Sequence, residues 1–488
     1  MRPFISPRRA AIALASILTV HGARLAAQGT LDRNVPPTPA PTPAIRVPTW
    51  TRAQLVNGAE LVVTEKHDLP LVAFSINFLG GSYSFEPADK LGVASFTAQM
   101  LSEGTASKTA DQLSEAQQLL GTQIVSGVSG EGGTIGFTSL RDKFEPALAL
   151  VADMVTNSTF PAPALERIRG RTLVQLQQAK DQPNAIAANV FARVVYGNAH
   201  PYGRVMSEAT VQAISRDDIL AFHAAYYRPG RAVISVAGDV QPAAVKAAVE
   251  QAFAGWPAGG ARPTWEYPPA PPPQATTIYL VDKPNSAQSV FAIGLPGPAR
   301  DTPDYYAIQV MNNLLGGLFQ SRLNHNIREV KGYSYGVGSS FAFGRGPGAF
   351  RSGGGIVTAK TDSALIEFMK EFRGAQGEVP FTDDEITQGK ESLIQSLPRR
   401  FSSVNGIGSS VSSIFTQDLP QSFYQDYPAN INGVTREDLV RVARKYVDLR
   451  HLNIVIVGDR AVVEPLLRAT GIAPIVMLDL EGRPAAIP

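Results

Sequence analysis

The sequence contains no cysteine and only six histidines in 488 residues. The lack of cysteine excludes disulfides, thiolate metal sites, a thiol nucleophile and a lipoprotein attachment site. No two histidines lie within 20 residues of each other, so no helix can present the histidine pair that commonly binds zinc. A zinc site assembled from distant residues stays open as an alternative. The sequence favours structural or surface histidines and predicts no metal and no cofactor in this chain.

Strong charge of either sign is also missing. The chain has 44 basic and 42 acidic residues, but its first 27 residues hold four of the arginines and no acid, so the remainder carries a formal charge of −2. No basic cluster remains in that nearly neutral chain. We therefore expect no nucleic-acid partner.

The N-terminus has the pattern of a targeting segment. Arg2, Arg8 and Arg9 precede the apolar run Ala10–Val20, and small residues follow it. This predicts a secretory signal peptide over residues 1–27, and hence a periplasmic or otherwise exported protein without an integral membrane segment after cleavage. A membrane anchor is the alternative, although the run is short for a spanning helix. Export without disulfides suits a bacterial periplasm.

One pattern occurs twice. The two copies are Ile214–Val240 and Val434–Arg460. In each, the first residue is followed by a hydroxyl residue, an arginine and two acids. An amphipathic stretch then leads to a tyrosine, and a β-branched run ends at Gly-Asp. The hydroxyl residue followed by arginine and two acids is typical of a capped helix N-terminus, and the β-branched run predicts a buried strand. A separation of about 220 residues indicates a duplicated domain rather than a solenoid.

Two proline-rich segments divide the chain into these copies. We expect an α+β fold of two duplicated domains, each a mixed or antiparallel sheet packed with helices. The predicted organisation is a signal peptide (1–27), a tether (28–49), an N-terminal domain (50–256), a linker (257–274) and a C-terminal domain (275–488).

Gly92–Thr105 reads GVASFTAQMLSEGT. Together with Leu61–Ser82, it resembles the opening of the pitrilysin/insulinase metallopeptidase family, whose members are clamshells of duplicated α+β domains. The family helix reads Gly-x-Ala-His-x-x-Glu-His-Met-Leu-x-x-Gly-Thr, an inverted zinc motif. The six matching residues here are Gly92, Ala94, Met100, Leu101, Gly104 and Thr105.

The residues that carry the family's chemistry are missing. Ser95 and Gln99 stand at the two histidine positions, and Ala98 stands at the general-base glutamate. The family's third ligand is a glutamate on a later helix, where Gln175 aligns. Serine, alanine and glutamine supply neither the zinc ligands nor a proton acceptor. The resemblance therefore implies a degenerate zinc motif, and the chain alone should not hydrolyse peptides by the family mechanism.

A second segment, Leu323–Ser339, resembles the C-terminal motif of the family, Leu-Arg-Glu-x-x-Gly-x-x-Tyr-x-Val. Arg328 and Tyr335 occupy its Arg and Tyr positions, and Gly332 and Val337 match as well. In the family these two side chains hydrogen-bond the substrate backbone near the scissile carbonyl and stabilise the oxyanion. The resemblance thus implies substrate-binding roles for Arg328 and Tyr335. Without it, Arg328 would be interpreted as a helix-end cation beside Glu329.

The family resemblance implies a half-size subunit of a heterodimeric peptidase, in which a partner of the same family carries the zinc and this chain offers Arg328 and Tyr335. The expected substrate is a peptide that adds as a strand to a sheet edge, in Ser126–Gly133. Two alternatives remain: a structural or peptide-binding assembly protein, and an autonomous zinc peptidase with displaced ligands.

Overall fold

The computed structural model of the protein describes residues 46–264, 266–272 and 274–485, which pack into one compact unit. The predicted signal peptide and most of the predicted tether lie outside these residues. Within the described part of the chain, no helix is both long and apolar enough to cross a membrane.

The N-terminal half forms a six-stranded mixed sheet. Its strands are β1 (Thr51–Gln54), β2 (Glu60–Glu65), β3 (Leu71–Leu79), β4 (Val125–Val128), β5 (Gly132–Leu140) and β6 (Ala232–Gly238). They lie in the order β1-β2-β6-β3-β5-β4. The β2–β6 pair is parallel and the other pairs are antiparallel. The short strand β4 therefore lies at an edge of the sheet.

The helices of this half cover the sheet and form its connections. They are α1 (Gly81–Phe85), α2 (Val93–Met100), α3 (Ala110–Leu119), α4 (Phe144–Thr156), α5 (Ala162–Ala179), α6 (Pro183–Tyr196), α7 (Glu208–Gln212), α8 (Arg216–Tyr226) and α9 (Pro242–Ala252). The helix expected over the degenerate zinc motif is present as α2, and β4 and β5 form an antiparallel pair beside it.

The C-terminal half repeats this plan. Its strands are β7 (Thr277–Asp282), β8 (Gln288–Pro296), β9 (Ser334–Phe341), β10 (Ala349–Val357), β11 (Asn453–Gly458) and β12 (Ile475–Leu478), in the order β12-β7-β11-β8-β10-β9. Five strands correspond one to one with those of the first sheet. The sixth differs, because β1 pairs antiparallel with β2 whereas β12 pairs parallel with β7.

The helices of the second half are α10 (Tyr305–Asn312), α11 (Arg322–Asn324), α12 (Thr361–Arg373), α13 (Asp383–Arg400), α14 (Val404–Thr416), α15 (Phe423–Asn432), α16 (Arg436–Tyr446) and α17 (Arg460–Thr470). Helix α10 ends at Asn312 and continues as a π-helical turn, Asn313–Gly317. A second π-helical turn, His325–Val330, extends α11 toward β9. Such turns often occur at functional sites.

The duplicated pattern is confirmed in its local detail. Ser215 and Thr435 each accept a hydrogen bond from the backbone N–H three residues on, and the aspartate at that position bonds back to the cap. These reciprocal caps begin α8 and α16. The strands that follow, β6 and β11, are almost wholly buried. The fold is therefore the duplicated α+β fold that the sequence predicts.

Each half also covers part of the other half's sheet with one of its helices. Ile186 and Val190 of α6 pack on the buried Val455 and Val457 of β11. In the opposite direction α14 lies over β6, where the Ser235 hydroxyl donates to the Gly408 carbonyl at 3.1 Å. Both sheets are thus covered by helices from both halves of the sequence. The described residues of 257–276 between the halves form no regular secondary structure.

Candidate functional site

Helix α2 carries the degenerate zinc motif, and its retained motif residues have structural roles. Gly92 begins the helix at φ +110°, a conformation that favours glycine. The carboxylate of Glu86 accepts hydrogen bonds from the N–H groups of Gly92 and Ala94 at 3.0 and 2.8 Å. Burial raises the pKa of Glu86, and these two bonds partly oppose the shift. Beyond the helix, the Thr105 hydroxyl donates to Asp153 at 2.6 Å.

The three substituted positions, Ser95, Ala98 and Gln99, all lie on α2. Ala98 is buried, whereas Ser95 and Gln99 are half-buried on the same side of the helix. The Gln99 amide nitrogen donates to the Ser95 hydroxyl at 3.2 Å. The Ser126 hydroxyl of β4 donates to the Ala98 carbonyl at 2.6 Å, which holds the edge strand beside this helix.

Helix α5 runs antiparallel to α2 and the residues that follow it, and the former zinc-ligand positions of α2 face α5. Arg171 donates to the Gln99 side-chain oxygen at 2.6 Å, and Arg167 pairs with Glu103 one turn away. Gln175 lies one further turn along α5. Gln175 itself is exposed.

These side chains do not fit a zinc ion. Across the described residues, no group of three or more His, Cys, Asp or Glu side chains could hold a metal. The Arg171 guanidinium contacts Gln99, one of the two former histidine positions, and a cation there opposes binding of a divalent cation. The helix retains the shape of a zinc helix, but an Arg-Gln-Ser chain of hydrogen bonds occupies its ligand face.

The second motif is assembled around Arg328. Its guanidinium carbon lies 5.2 Å from the centre of the Tyr335 ring and 4.4 Å from that of Phe319, so the cation is held between two aromatic rings. Arg328 also pairs with Glu329 at 3.2 Å, so the helix-end interpretation describes one of its contacts. Tyr335 is 86 % exposed and Phe319 is 63 % exposed. The sequence did not single out Phe319, whose only signal is its place four residues before Leu323, where the motif begins.

A buried amide supports this cluster. Asn324, which is 4 % exposed, donates to the Phe319 carbonyl at 2.7 Å and accepts from the Val337 N–H at 3.1 Å. One side chain thus ties the loop that carries Phe319 to the strand that carries Tyr335. Gly332 has φ +64° at the turn between helix and strand, and its N–H bonds the Arg328 carbonyl at 3.1 Å. The matching motif glycine is therefore required by the backbone.

A clasp that the sequence did not predict joins the two sheets beside β4. Glu131, in the turn after β4, accepts hydrogen bonds from the Tyr202 hydroxyl, from the Tyr267 hydroxyl at 3.3 Å, and from the Arg345 N–H at 2.9 and 3.0 Å. Burial and the Glu131 carboxylate raise the pKa of both tyrosines well above the ordinary value. A pocket of about 510 Å³ adjoins the clasp, between the β4–β5 turn and Arg300.

The proposed peptide-binding edge is shorter than the sequence suggests. Strand β4 is Val125–Val128, whereas the rest of Ser126–Gly133 is the turn and the start of β5. The clasp holds that turn, so of the segment Ser126–Gly133 the β4 part is what lies along the edge of the sheet.

Comparisons with known proteins identify the family to which this chain is similar. Residues 61–204 match the family model described as insulinase (peptidase family M16), and residues 213–393 match the one described as peptidase M16 inactive domain. Among similar proteins, "Uncharacterized zinc protease YmxG" of Bacillus subtilis is 27 % identical over 72 % of this chain and 84 % of its own length. "Non-peptidase homolog YmxG" of Helicobacter pylori is 22 % identical over 83 % of this chain and 94 % of its own length.

Among solved structures, the peptidase M16 inactive domain from Pseudomonas fluorescens is similar, with a TM-score of 0.78 and 28 % identity over 84 % of this chain and 98 % of that chain. The family models, the fold and the positions of both motifs agree, and the zinc ligands are absent. The chain belongs to the insulinase peptidase family M16 and is a non-catalytic member of it.

Proposed function

We propose that this protein is the non-catalytic subunit of an exported heterodimeric metallopeptidase and that it helps to bind the peptide that a zinc-bearing partner cleaves. One observation carries the proposal: the Arg328–Tyr335 pair is assembled and accessible in a chain whose zinc helix has lost all its ligands. A cation and an exposed hydroxyl of this kind suit a substrate carbonyl.

In the complex, Arg328 and Tyr335 donate hydrogen bonds to the carbonyl oxygen of the scissile peptide bond. Their contribution grows as that oxygen gains negative charge in the transition state. The partner, a chain of the same family with an intact zinc motif, supplies the metal and the attacking water. Neither subunit is then active alone.

The peptide binds in extended form along the free edge of β4. Edge strands bind peptides through main-chain hydrogen bonds, and the Ser126–Ala98 bond holds this edge against α2. The clasp at Glu131 keeps the second sheet beside it. The peptide then passes between the two halves of this chain.

Export is part of the proposal and rests on the pattern of residues 1–27. N-terminal sequencing of the protein purified from a cell envelope fraction tests it. A mature N-terminus close to Gln28 supports the signal peptide, whereas an intact Met1 in that fraction contradicts it.

The function is tested by co-expression with an insulinase-family chain that retains H-x-x-E-H, preferably one encoded beside this protein. The co-purified complex should cleave an unstructured peptide, and each chain alone should not. Arg328→Ala should lower kcat about a hundredfold, the usual cost of removing one oxyanion donor. The control is Lys331→Ala. It removes a nearby cation, three residues after Arg328, that forms an ion pair with Glu367.

An unchanged kcat of the Arg328→Ala complex would contradict the role assigned to Arg328. The second candidate, a structural or peptide-binding assembly protein, is favoured by the name of the Helicobacter pylori relative, "Non-peptidase homolog". It predicts a stable complex that cleaves nothing.

A further inference from the structure

Helix α5 carries three arginines at alternate positions, and only one of them lacks a carboxylate partner. Arg167 pairs with Glu103, and Arg169 pairs with Glu166. Arg171 makes no ion pair with any described residue; its one hydrogen bond is to the neutral side chain of Gln99, at 2.6 Å. The Arg171 side chain is exposed. A guanidinium has five N–H groups, so most of its donors remain available.

The orientation of this cation is fixed by its neighbours. Gln99 donates to the Ser95 hydroxyl at 3.2 Å and to the Ser95 carbonyl at 3.3 Å, so its oxygen is turned toward Arg171. Ser95, Gln99 and Arg171 of α5 thus form a hydrogen-bonded row along the former ligand face of α2. Ser126 holds β4 beside the same helix. Arg171 and the edge strand β4 therefore contact adjacent residues of α2, Gln99 and Ala98.

A second arginine without a carboxylate partner, Arg204, lies near Ser95, at the end of the row away from Arg171. A pocket of about 190 Å³ opens beside Ser95, with Val128 of β4 and Arg204 among its lining residues. The Nε of Arg204 is buried and has no hydrogen-bond partner among the described residues. The lining carboxylate, Glu86, is already bonded to the N-terminus of α2. Arg171 and Arg204 thus place two positive charges on this face against the one carboxylate of Glu86, so the face is complementary to an anion.

We propose that this face binds the C-terminal carboxylate of an extended peptide through Arg171. An extended peptide offers one negatively charged backbone group, its terminal carboxylate, and arginine binds carboxylates in a two-point geometry. A peptide paired with β4 then ends at Arg171, with the side chain of its last residue toward the pocket at Ser95. The degenerate zinc helix is accordingly a binding site for peptide ends.

The test uses the purified mature chain alone and fluorescence anisotropy with three short labelled peptides: a free acid, its C-terminal amide, and the amide with a glutamate as its last residue. The free acid should bind about tenfold more tightly than the simple amide, since a hydrogen-bonded charge pair accounts for about a factor of ten. Arg171→Gln should reduce binding of the free acid to the level of the amide. Arg167→Gln, the matched control one turn away, should keep the preference. Circular dichroism verifies that both variants are folded.

Equal affinity for acid and amide, a preference that persists in Arg171→Gln, or no binding of the free acid would overturn the inference. If the glutamate amide binds as tightly as the free acid, the site recognises acidic side chains and the C-terminal assignment is wrong. The measurement needs no partner and no proteolysis, so it stands or fails separately from the role of Arg328 and Tyr335.

Discussion

Arg328 holds its guanidinium carbon 5.2 Å from the centre of the Tyr335 ring, although the two residues belong to a π-helical turn and to an edge strand. The contact joins the two motif residues that the family resemblance singles out. It leaves the Tyr335 hydroxyl toward solvent, because that residue is largely exposed. The ring and the hydroxyl can therefore be tested separately.

Tyr335→Phe retains the ring against Arg328 and removes only the hydroxyl. We expect kcat of the reconstituted heterodimer to fall at least tenfold while KM changes little, because the hydroxyl acts on the developing oxyanion. The free energy of unfolding should change by less than about 0.5 kcal/mol at so exposed a position. Tyr333→Phe, two residues earlier, is the control and should leave kcat intact. A Tyr335→Phe complex with full kcat would contradict the role.

Asn324→Leu removes the amide that joins the Phe319 loop to β9. It leaves a buried carbonyl and a buried N–H without their partner, so the free energy of unfolding should drop by about 1–3 kcal/mol. Because Arg328 and Tyr335 lose their support, kcat should fall as well. Asn313→Leu removes another buried amide, which bonds the Gly389 carbonyl at 2.9 Å. It should cost similar stability and leave kcat unchanged; equal losses in both variants would make the Asn324 effect purely structural.

Glu131→Ala opens the clasp between the two sheets. The Arg345 N–H loses the Glu131 acceptor, and the Tyr202 hydroxyl, which accepts from the Gly346 N–H at 3.0 Å, loses its own partner. Amide hydrogen exchange of the Arg345 N–H should accelerate about tenfold, the equivalent of one hydrogen bond. Glu131→Gln keeps an acceptor oxygen and should show a smaller effect. Mass spectrometry of the peptide that spans residues 344–348 provides the measurement. Unchanged exchange in the alanine variant would mean that other contacts hold this loop.

Asp304 stabilises the C-terminal domain in a pH-dependent manner. Burial alone would raise the pKa of its carboxyl, but hydrogen bonds from Tyr446, Arg441 and Lys445 outweigh burial and lower the pKa from 3.8 to about 2. A lowered folded-state pKa stabilises the protein above the ordinary value, and this stabilisation disappears as pH falls toward about 2. It corresponds to about 2 kcal/mol for this buried group.

Asp304→Asn should therefore be less stable than the wild type at neutral pH, and the difference should shrink below about pH 4. Urea unfolding monitored by circular dichroism at several pH values measures it. The exposed Asp383, which pairs with Arg436 on the surface, offers the control Asp383→Asn, for which we expect almost no change. A stability gap for Asp304→Asn that is constant with pH would show that its ionisation is not responsible.

Restoring zinc ligands should depend on Arg171. A variant with Ser95→His, Gln99→His and Gln175→Glu provides the family's ligand set, but the Arg171 cation opposes the metal. Adding Arg171→Gln should tighten zinc binding at least tenfold, measured by competition with a chromophoric chelator. Adding Arg167→Gln should have a smaller effect, because that charge is already paired with Glu103. Equal affinities with and without Arg171→Gln would show that the cation is too mobile to matter.

The local elements were predictable because their signals lie within short stretches of sequence. The capped starts of α8 and α16, the buried strands that follow them, and the helix over the zinc motif all agree with the structure. Periodicity and capping report the local backbone and the face that is buried. They do not report which sheet that face meets. No sequence signal therefore predicted that α6 packs on the second sheet and α14 on the first.

The candidate site divides in the same way. The sequence by itself determined that the zinc ligands are absent, that Arg328 and Tyr335 stand in a motif, and that one fold is used twice, since each is a matter of residue type and order. Only the tertiary structure decided that Arg171 reaches Gln99, that Phe319 covers Arg328, and that Glu131 joins the two sheets. These contacts join residues separated by 72, 9 and 214 positions. Such contacts depend on how helices and loops pack, and no local pattern of residues records that packing.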